Sequence, residues 1–406
     1  VVNYGYVKDP SSGEVTVNGV VFVGTNSGYL HAFKADKHSF KEYFSFIPKE
    51  LLANANFYRK ADKDQPKIYG VDGPINYWHE DANQNSQVDN GEKAYLFFGL
   101  RRGGRHYYAL DISDPDSPRF QWKISGGEGG EFDNMGQSWS PMTLAKVRWE
   151  GKTKVVLLFG GGYDTDEDNR TSRASNSMGN SIYMIDPESG KLLWSASKSD
   201  ATTKLPNMTN SITSEIKTID FDADQITDYF FVSDIGGRIW RFDLNPKTTD
   251  KNNFIANAGM LFDANLGNSN YQRFYDAPSV SYFADDTGDK YLTISIGSGY
   301  RAHPLQADSK DSFYVIKDPY IVKAPTTYEM LDRSNLVNIP VGSQLTTAVT
   351  AKGWKYDLPA GEKILATPLT AGGNMYFTTF APSTSTASQN TCSADIGSSR
   401  AYNVDF

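Results

Sequence analysis

The sequence has a single cysteine, fewer basic than acidic residues, and no long apolar run. Its 40 lysines and arginines are outnumbered by 48 aspartates and glutamates, which gives a net charge of −8. Nucleic-acid binding normally requires a basic domain, so this function class is excluded. The most apolar stretch is the short run at 155–159, far below the ~18 residues that a membrane-spanning helix needs. The sequence therefore predicts no nucleic-acid partner and no transmembrane segment.

The lone Cys392 cannot form an internal disulfide. It is either a surface thiol or the partner of a residue outside this chain, and the sequence leaves both readings open. The chain starts at Val1, without a methionine or an apolar leader. We therefore expect an excised fragment or a mature piece. A signal peptide could have been lost from it, so the absence of one is not evidence of location.

Motifs of common catalytic sites are also missing. The five histidines show no metal-ligand spacing such as HExxH, and no GxSxG nucleophile elbow occurs. The glycine run at 160–162 lacks the lysine and the helix start of a phosphate-binding loop. We therefore predict that the protein is not an enzyme and has no catalytic residues.

What the sequence does contain favours an all-β fold. Hydrophobic residues make up 39% of the chain, which is enough for a core. Aromatic residues make up 13%, and there are 35 glycines, a combination typical of short strands joined by tight turns.

Six hairpin-like units recur along the chain. Each has a run of β-branched or aromatic residues, a break, and a second run that ends in or near an aromatic residue. The pairs of runs are 20–23 with 30–33, 95–99 with 107–111, 155–160 with 181–186, 229–234 with 238–243, 291–297 with 313–316, and 375–377 with 401–405. Shorter strands with Ser, Thr or Ala before Pro precede several units, at 139–142, 277–280 and 366–369, and proline is typical of an edge or first strand.

This repetition predicts a β-propeller that fills residues 1–406 as one domain. The units are spaced more widely than compact propeller blades, so we expect inserted loops and short helices. The largest insertion is predicted at about 37–93, with a helix-compatible stretch at 48–55. A β-sandwich with long loops is the alternative, because the strand spacing is irregular.

The sharpest local motif is the acidic loop at 220–228. Aspartates stand at loop positions 1, 3, 5 and 9, and these are Asp220, Asp222, Asp224 and Asp228. Ile226, at position 7, is placed to offer its backbone carbonyl. Calcium takes six to eight oxygen ligands, and this alternation wraps oxygens around one point. The loop has Gln225 where EF-hand loops have Gly, and no Glu at position 12. A solvated acidic turn is the alternative.

A second, less acidic loop at 81–92 follows the full twelve-residue calcium register. Its predicted ligands are Asp81, Asn83, Asn85, Gln87 through its carbonyl, Asp89 and Glu92. Ser86 replaces the usual Gly. Fewer charges predict a weaker site, and a bare asparagine-rich turn is the alternative.

The segments 19–33 and 99–111, together with the 220–228 loop and its following hairpin at 233–243, resemble the C-terminal domain of the PilC/PilY-type pilus tip adhesins. The resemblance covers essentially the whole chain. It implies a modified, seven-bladed quinoprotein-like propeller with a calcium loop whose ligands fall on Asp220, Asp222, Asp224, the Ile226 carbonyl and Asp228. The 81–92 loop resembles a second calcium loop that some members carry near an Arg-Gly-Asp tripeptide. This chain has only Arg102-Gly103-Gly104-Arg105, so integrin binding by that route is not expected.

The resemblance also implies a function. We expect a calcium-binding domain of a type IV pilus biogenesis factor and adhesin that regulates pilus extension against retraction, twitching motility, host-cell attachment and virulence. The implied partners are pilus components, either minor pilins or the pilus tip, and a host cell-surface receptor. The implied location is extracellular or at the cell surface, at the pilus tip and the outer membrane.

A rival from another class is a propeller dehydrogenase that uses the quinone cofactor PQQ. The segment 186–194 resembles the tryptophan-docking motif of those enzymes. The sequence contains one clear copy of this motif. A single cysteine cannot supply the adjacent cysteine pair common in PQQ alcohol dehydrogenases. A generic ligand-binding propeller is the third alternative.

Overall fold

The structure of the chain is a computed structural model that describes residues 1–8, 10–35, 41–60, 67–284, 288–340, 352–383 and 397–405. Cys392 lies outside these residues. Strands dominate the described part of the chain, and they form six sheets that follow one another in sequence.

The first three sheets are mainly antiparallel. Sheet 1 consists, in order, of β1 (Val2–Lys8), β2 (Val15–Gly24), β3 (Leu30–Ala35) and β4 (Glu42–Phe46). Sheet 2 consists of β5 (Ile75–His79), β6 (Ala94–Gly99), β7 (His106–Asp111) and β8 (Arg119–Ser125). Sheet 3 consists of β9 (Thr143–Trp149), β10 (Lys152–Gly160), β11 (Ser181–Ile185), β12 (Leu192–Ser197) and the short parallel strand β13 (Thr203–Lys204).

The other three sheets follow the same plan. Sheet 4 consists of β14 (Lys217–Ile219), β15 (Tyr229–Asp234), β16 (Arg238–Leu244), β17 (Ile255–Asp263) and the parallel β21 (Leu331–Asp332). Sheet 5 consists of β18 (Ser279–Ala284), β19 (Lys290–Gly297), β20 (Ser312–Asp318), β23 (Gly353–Asp357) and the parallel β22 (Val337–Asn338). Sheet 6 consists of β24 (Lys363–Ile364), β25 (Leu369–Ala371), β26 (Asn374–Pro382) and β27 (Gly397–Asp405).

Helices are few and short. One α-helix, Ala55–Lys60, follows a 3-10 helix at Lys49–Asn54, which overlaps the predicted helix-compatible stretch. The other described 3-10 helices are Arg101–Gly103, Thr165–Asn169, Lys251–Asn253 and Arg333–Asn335.

Apolar residues fill each of the five interfaces between consecutive sheets. In β15, for example, Phe230 and Val232 face sheet 3, whereas Tyr229 and Phe231 face sheet 5. Side chains alternate between the two faces of a strand, so a strand covered on both sides is mainly apolar. This is why the central strands appear in the sequence as continuous apolar runs. The observed sheets and their core are therefore those of an all-β propeller, as predicted.

All six predicted hairpins are confirmed as antiparallel strand pairs, namely β2 with β3, β6 with β7, β10 with β11, β15 with β16, β19 with β20 and β26 with β27. Proline marks the starts of first strands: Pro278 and Pro368 directly precede β18 and β25, and Pro141 lies two residues before β9. The prolines thus stand just before the strands, where no ladder hydrogen bond is lost.

The two terminal sheets each have an uncovered outer face in the described part of the chain. On sheet 1, Val15 is 60% exposed and Val17 is 44% exposed. On sheet 6, Leu369 and Tyr376 are exposed as well. Six sheets are present among the described residues, and the seventh blade stays a prediction.

The interval 37–93, predicted as the largest insertion, contains β4 and β5, which belong to sheets 1 and 2. The connection between these two strands, from 47 to 74, carries the α-helix. The calcium-register loop at 81–92 lies between β5 and β6.

The tryptophan-docking segment at 186–194 runs from β11 into β12 of sheet 3 and contacts Trp122 in β8 of sheet 2. The Trp122 indole Nε1 donates a hydrogen bond of 2.9 Å to the carbonyl of Pro187. A Cβ added at Gly190, whose φ is +69°, would lie 2.9 Å from the Trp122 ring, so the ring sits directly on this turn. Trp194 is itself buried between sheets 3 and 4. The motif therefore has a structural role in joining neighbouring sheets.

Candidate metal centre

The 220–228 loop connects β14 to β15 and is held at both ends. The Asp228 backbone N–H donates to the Ile219 carbonyl at 2.8 Å, which closes the base of the loop. The Thr227 N–H donates to the carbonyl of Lys146 in β9 at 2.8 Å. The loop is thus anchored to sheets 3 and 4 together.

Hydrogen bonds from the backbone hold the first three aspartates in an inward orientation. The Asp220 carboxylate accepts from the N–H groups of Asp224 at 3.1 Å and Gln225 at 2.7 Å. Asp222 Oδ1 accepts from Asp224 N–H at 3.2 Å, and Asp224 Oδ1 accepts from Ile226 N–H at 2.8 Å. Carboxylate oxygens of the three aspartates lie within 4.8 Å of one another. Like charges at such distances repel by at least about 1 kcal/mol per pair, even in water.

Asp228 closes the loop from the other side. Its Oδ2 accepts a hydrogen bond of 2.7 Å from the N–H of Phe221, the second residue of the loop. Burial and the negative charges of Asp222, Asp220 and Asp224 raise the pKa of the Asp228 carboxyl, although the Phe221 hydrogen bond opposes this shift. The largest cause of this shift is burial, and the three neighbouring carboxylates add to it.

Two residues of the loop adopt left-handed backbone conformations that are costly for side chains. Ala223 has φ +62° and Gln225 has φ +68°. A left-handed residue other than glycine costs roughly 1–2 kcal/mol. Gln225 therefore takes up the conformation of the EF-hand glycine that it replaces, and it does so under strain. Such strain persists where the surroundings fix the backbone, and it clusters at functional sites.

A cavity of about 120 Å³ opens at the mouth of the loop. Four of the five predicted ligands line it: Asp222, Asp224, Ile226 and Asp228. Two polar side chains from outside the loop also line the cavity, Arg148 and Asn245, and the sequence analysis did not identify them. Arg148 comes from β9 and Asn245 from the end of β16, and no local spacing in the sequence connects them to the loop.

The second predicted loop, 81–92, repeats the same backbone arrangement. The Asp81 carboxylate accepts from Asn85 N–H at 2.9 Å and Ser86 N–H at 3.0 Å, as Asp220 does for positions 5 and 6 of its own loop. Asn83 Oδ1 accepts from Asn85 N–H at 3.1 Å, and Asn85 Oδ1 accepts from Gln87 N–H at 2.9 Å. Positions 4 and 6 are again left-handed, with φ +60° at Gln84 and +61° at Ser86.

The two loops differ in how they are closed. In 81–92, Glu92 Oε1 accepts from the second residue, Ala82, at 2.9 Å, and Oε2 accepts from Asp89 N–H at 3.0 Å. In 220–228, the Asp228 carboxylate accepts the corresponding hydrogen bond from the second residue of the loop, Phe221. The missing glutamate at position 12, noted in the sequence, is thus replaced by the aspartate at position 9.

The loops also differ in the charge at their centre. The side-chain amides of Asn83 and Asn85 each donate to Asp89 Oδ2 at 2.7 Å, and that of Gln87 donates to Oδ1 at 3.0 Å. These hydrogen bonds lower the pKa of the Asp89 carboxyl, and those from Asn83 and Asn85 contribute most. Amide donors therefore stabilise the single central carboxylate of 81–92, whereas 220–228 brings together carboxylates that have no such donors.

Matches to known proteins agree with this architecture. Residues 5–294 match the family described as the PilY1 beta-propeller domain. The chain belongs to the PilY1 β-propeller family. It is 24% identical, over 90% of its length, to a type IV pilus biogenesis factor PilY1 homolog of Xylella fastidiosa, of which it covers 25%. It is 29% identical, over 55% of its length, to the type IV pilus biogenesis factor PilY1 of Pseudomonas aeruginosa strain PAK, of which it covers 17%.

The fold of the PilY1 family is shared as well. The crystal structure of the Pseudomonas aeruginosa PilY1 C-terminal domain aligns with a TM-score of 0.65 and 20% identity, over 95% of this chain and 78% of that chain. The resemblance stated from the sequence is therefore confirmed at the level of family and fold. The chain spans about a quarter or less of the curated PilY1 relatives that it matches. Among the described residues, no helix is long and apolar enough to cross a membrane.

Two other acidic clusters of this PilY1-family propeller are already neutralised by basic side chains. The acidic segment 164–168 is partly buried, since Asp164 and Glu167 are at most 1% exposed. Arg170 lies 3.1 Å from Glu167, and Arg102 forms a two-pronged ion pair with Asp168. In the second cluster, formed by Glu50, His106 and Glu128, the Lys123 ammonium lies 2.7 Å from Glu50 and 3.6 Å from Glu128. A lysine thus occupies the place that a metal would need.

Proposed function

We propose that this domain is a calcium-binding module of a type IV pilus biogenesis factor, in which calcium acts on a surface that pilus components recognise. The observation that carries the proposal is the convergence of Asp220, Asp222 and Asp224, with their oxygens within 4.8 Å, in a loop closed by Asp228. Family membership adds support, because the curated relatives are type IV pilus biogenesis factors.

Calcium fits the donor set of the 220–228 loop. It prefers oxygen ligands at flexible geometry, and the loop offers four carboxylates and the Ile226 carbonyl with no histidine or cysteine among them. A bound divalent cation would cancel the repulsion among the carboxylates and offset the strain at Gln225. We propose a second, weaker calcium site at 81–92, with Asp81, Asn83, Asn85, the Gln87 carbonyl, Asp89 and Glu92 as ligands, because amide donors already stabilise its central charge.

In this proposal the metal orders a surface and does not create the fold. The loop projects from the interface of sheets 3 and 4, where Trp194, Phe230 and Phe242 form a buried aromatic cluster. The exposed Phe221 at loop position 2 contacts Tyr282 of sheet 5, with ring centroids 6.0 Å apart. Calcium binding at 220–228 would therefore fix Phe221 at the surface, next to a second exposed aromatic ring.

We propose that this surface regulates pilus extension against retraction, and with it twitching motility, host-cell attachment and virulence. The partners would be minor pilins or the pilus tip, together with a host-cell receptor, and the location would be the pilus tip and outer membrane. A strain carrying Asp228→Ala in the full-length protein should show altered surface piliation or twitching at normal protein levels. The matched control is Asp116→Ala, which removes an exposed aspartate outside both loops.

Two results would contradict this role. Normal pili and normal motility in the Asp228→Ala strain would refute a regulatory function of the loop. A collapse of the melting temperature of the purified variant, or loss of the protein from the cells, would instead indicate that the loop is a structural clip.

The PQQ-dehydrogenase alternative is favoured only by the docking motif at 186–194, which in this chain serves to seat Trp122. We therefore propose a non-catalytic domain. Incubation of the protein with PQQ, followed by a dye-linked alcohol oxidation assay, tests this directly: turnover would overthrow the proposal, whereas its absence together with calcium binding is the expected outcome.

A further inference from the structure

A cavity of about 330 Å³ lies where loops from five of the sheets meet. It is lined by residues from 72–74, 139–141, 213–215, 275–277 and Thr367. Each of these segments ends within two residues of the start of a strand, namely β5, β9, β14, β18 and β25. Because the sheets of a propeller surround a central channel, a cavity that five sheets share lies on that axis. Its walls belong to the rigid part of the fold.

Two adjacent arginines near this cavity have different environments. Arg102 is paired with a carboxylate, since its two terminal nitrogens donate to Asp168 at 2.7 and 2.8 Å. Arg101 lines the cavity, and its guanidinium lies 4.5 Å from the centre of the Trp139 ring. Within the described chain, the Arg101 guanidinium has no hydrogen-bond acceptor and no ion-pair partner. It therefore keeps five N–H donors available to a ligand.

The backbone holds Arg101 in this position at a cost. Its φ of +49° is left-handed, which costs a residue other than glycine roughly 1–2 kcal/mol. The turn is fixed because the Ser138 hydroxyl accepts from the N–H groups of Leu100 at 2.8 Å and Arg101 at 3.3 Å. At Gly103 a Cβ would lie 2.0 Å from the carbonyl oxygen of Gly70, so the turn is also packed tightly against that segment. Strained residues that the surroundings hold in place are typical of ligand sites.

The carboxylates around the cavity do not neutralise Arg101. Asp276 is engaged by Arg301, whose Nη2 lies 3.1 and 3.2 Å from its two oxygens. Asp72 and Glu215 also line the cavity, and neither forms an ion pair with Arg101 in the described part of the chain. Burial, and next the positive charge of Arg301, lower the pKa of Arg101, whereas the negative charges of Asp72 and Asp276 act to raise it. These carboxylates therefore act on Arg101 through space, but neither of them occupies its guanidinium N–H groups in the described part of the chain.

We propose that Arg101 binds the carboxylate group of a ligand in this axial cavity. The guanidinium presents two parallel N–H groups that match the two oxygens of a carboxylate, and the Trp139 ring behind it limits its rotation. Such a carboxylate can come from a small organic acid or from an acidic side chain of another protein. The site is separate from both calcium loops and does not depend on the proposed calcium function.

Isothermal titration calorimetry of the calcium-loaded domain tests the proposal with three probes: succinate, its neutral dimethyl ester, and a blocked tripeptide that contains glutamate. We expect succinate or the tripeptide to bind and the ester not to bind. Arg101→Gln should weaken that binding at least about tenfold, because a charged, two-pronged hydrogen bond is lost. Arg101→Lys, which keeps the charge but loses the planar fork, should also weaken it. Arg119→Gln, at an exposed arginine of β8, should bind as the unmodified protein does.

The pattern of binding identifies the source of the carboxylate. Binding of succinate indicates a small acid, and binding of the tripeptide alone indicates a protein side chain. Two results would overturn the proposal: no binding of either probe at millimolar concentration, or the same affinity in folded Arg101→Lys and Arg101→Gln as in the unmodified protein. If Arg101→Gln fails to fold, the affinity of Arg101→Lys is the deciding measurement. Weaker binding than that of the unmodified protein supports the proposal, and equal binding overturns it.

Discussion

Replacement of Arg241 by methionine should destabilise the sheet that carries the acidic 220–228 loop. Arg241 lies in β16 of sheet 4 and is 1% exposed. Its guanidinium donates to Asp243 at 2.7 and 3.0 Å and to Asp318, at the end of β20 in sheet 5, at 2.7 Å. It also lies 4.2 Å from the centre of the Tyr229 ring. A single cation thus neutralises two buried carboxylates across the interface of sheets 4 and 5.

The size of the effect follows from what Arg241→Met leaves behind. Methionine fills much of the space of the arginine stem, so the main loss is the counterion of Asp243 and Asp318. Removal of one partner of a buried ion pair costs about 3–5 kcal/mol. We expect a loss of this size in the free energy of unfolding at pH 7.5, measured by urea titration with tryptophan fluorescence. The control Arg119→Met, at an exposed arginine, should change it by less than about 0.5 kcal/mol.

The cost should depend on pH with a defined sign. Burial raises the pKa of Asp243 to about 6, above the ~3.9 of an unfolded aspartate, and Arg241 opposes this shift. A raised carboxyl pKa means that folding favours the protonated form, so the folded state loses stability as the pH rises from about 3.9, the unfolded pKa, to about 6, the folded pKa. Without Arg241 the pKa of Asp243 rises further, and the variant should be less destabilised at pH 5 than at pH 7.5. An equal cost at both pH values, or a cost below about 1 kcal/mol, would refute this reasoning.

Three further outcomes are expected. Trp122→Ala should lower the free energy of unfolding, measured by urea titration, by about 3–5 kcal/mol, because the ring and its hydrogen bond to Pro187 join sheets 2 and 3. The calcium affinity of 220–228 should stay unchanged. A loss of stability near zero would contradict the joining role. Asp81→Ala should remove the weaker calcium-binding event in calorimetry and leave the stronger one, and loss of both events would exclude independent sites. Val17→Asp, on the uncovered face of sheet 1, should lower the free energy of unfolding of this domain by less than about 1 kcal/mol. A loss of several kcal/mol would show that this face is covered.

Much of the fold could be predicted from local sequence because each central strand is buried on both faces. The run at 229–232 is apolar at every position, since alternate residues face sheets 3 and 5. The two calcium-register loops were recognisable for a similar reason, because all their proposed ligands lie within nine or twelve consecutive residues. Spacing alone then fixes which side chains turn inward.

Features that depend on distant partners could not be predicted in this way. Glu167 is buried because Arg170 lies beside it and Arg273, more than a hundred residues away, lies 3.7 Å from its other oxygen. Arg148 and Asn245 reach the mouth of the calcium loop only because sheets 3 and 4 pack together. The unpaired state of Arg101, next to the paired Arg102, likewise arises from tertiary contacts alone.

The most direct test of the account is a calorimetric calcium titration of the domain and of two matched variants, Asp224→Ala and Asp116→Ala. We expect the unmodified protein to bind calcium with a dissociation constant of roughly 10⁻⁶ to 10⁻³ M, in the range of sensor and extracellular sites. Asp224→Ala should lose the stronger binding event, because it removes one of the three converging carboxylates. Asp116→Ala, which removes an exposed aspartate elsewhere, should leave the titration unchanged. Equal heats in all three proteins, or no calcium binding by the unmodified domain, would contradict the assignment of 220–228 as a calcium site.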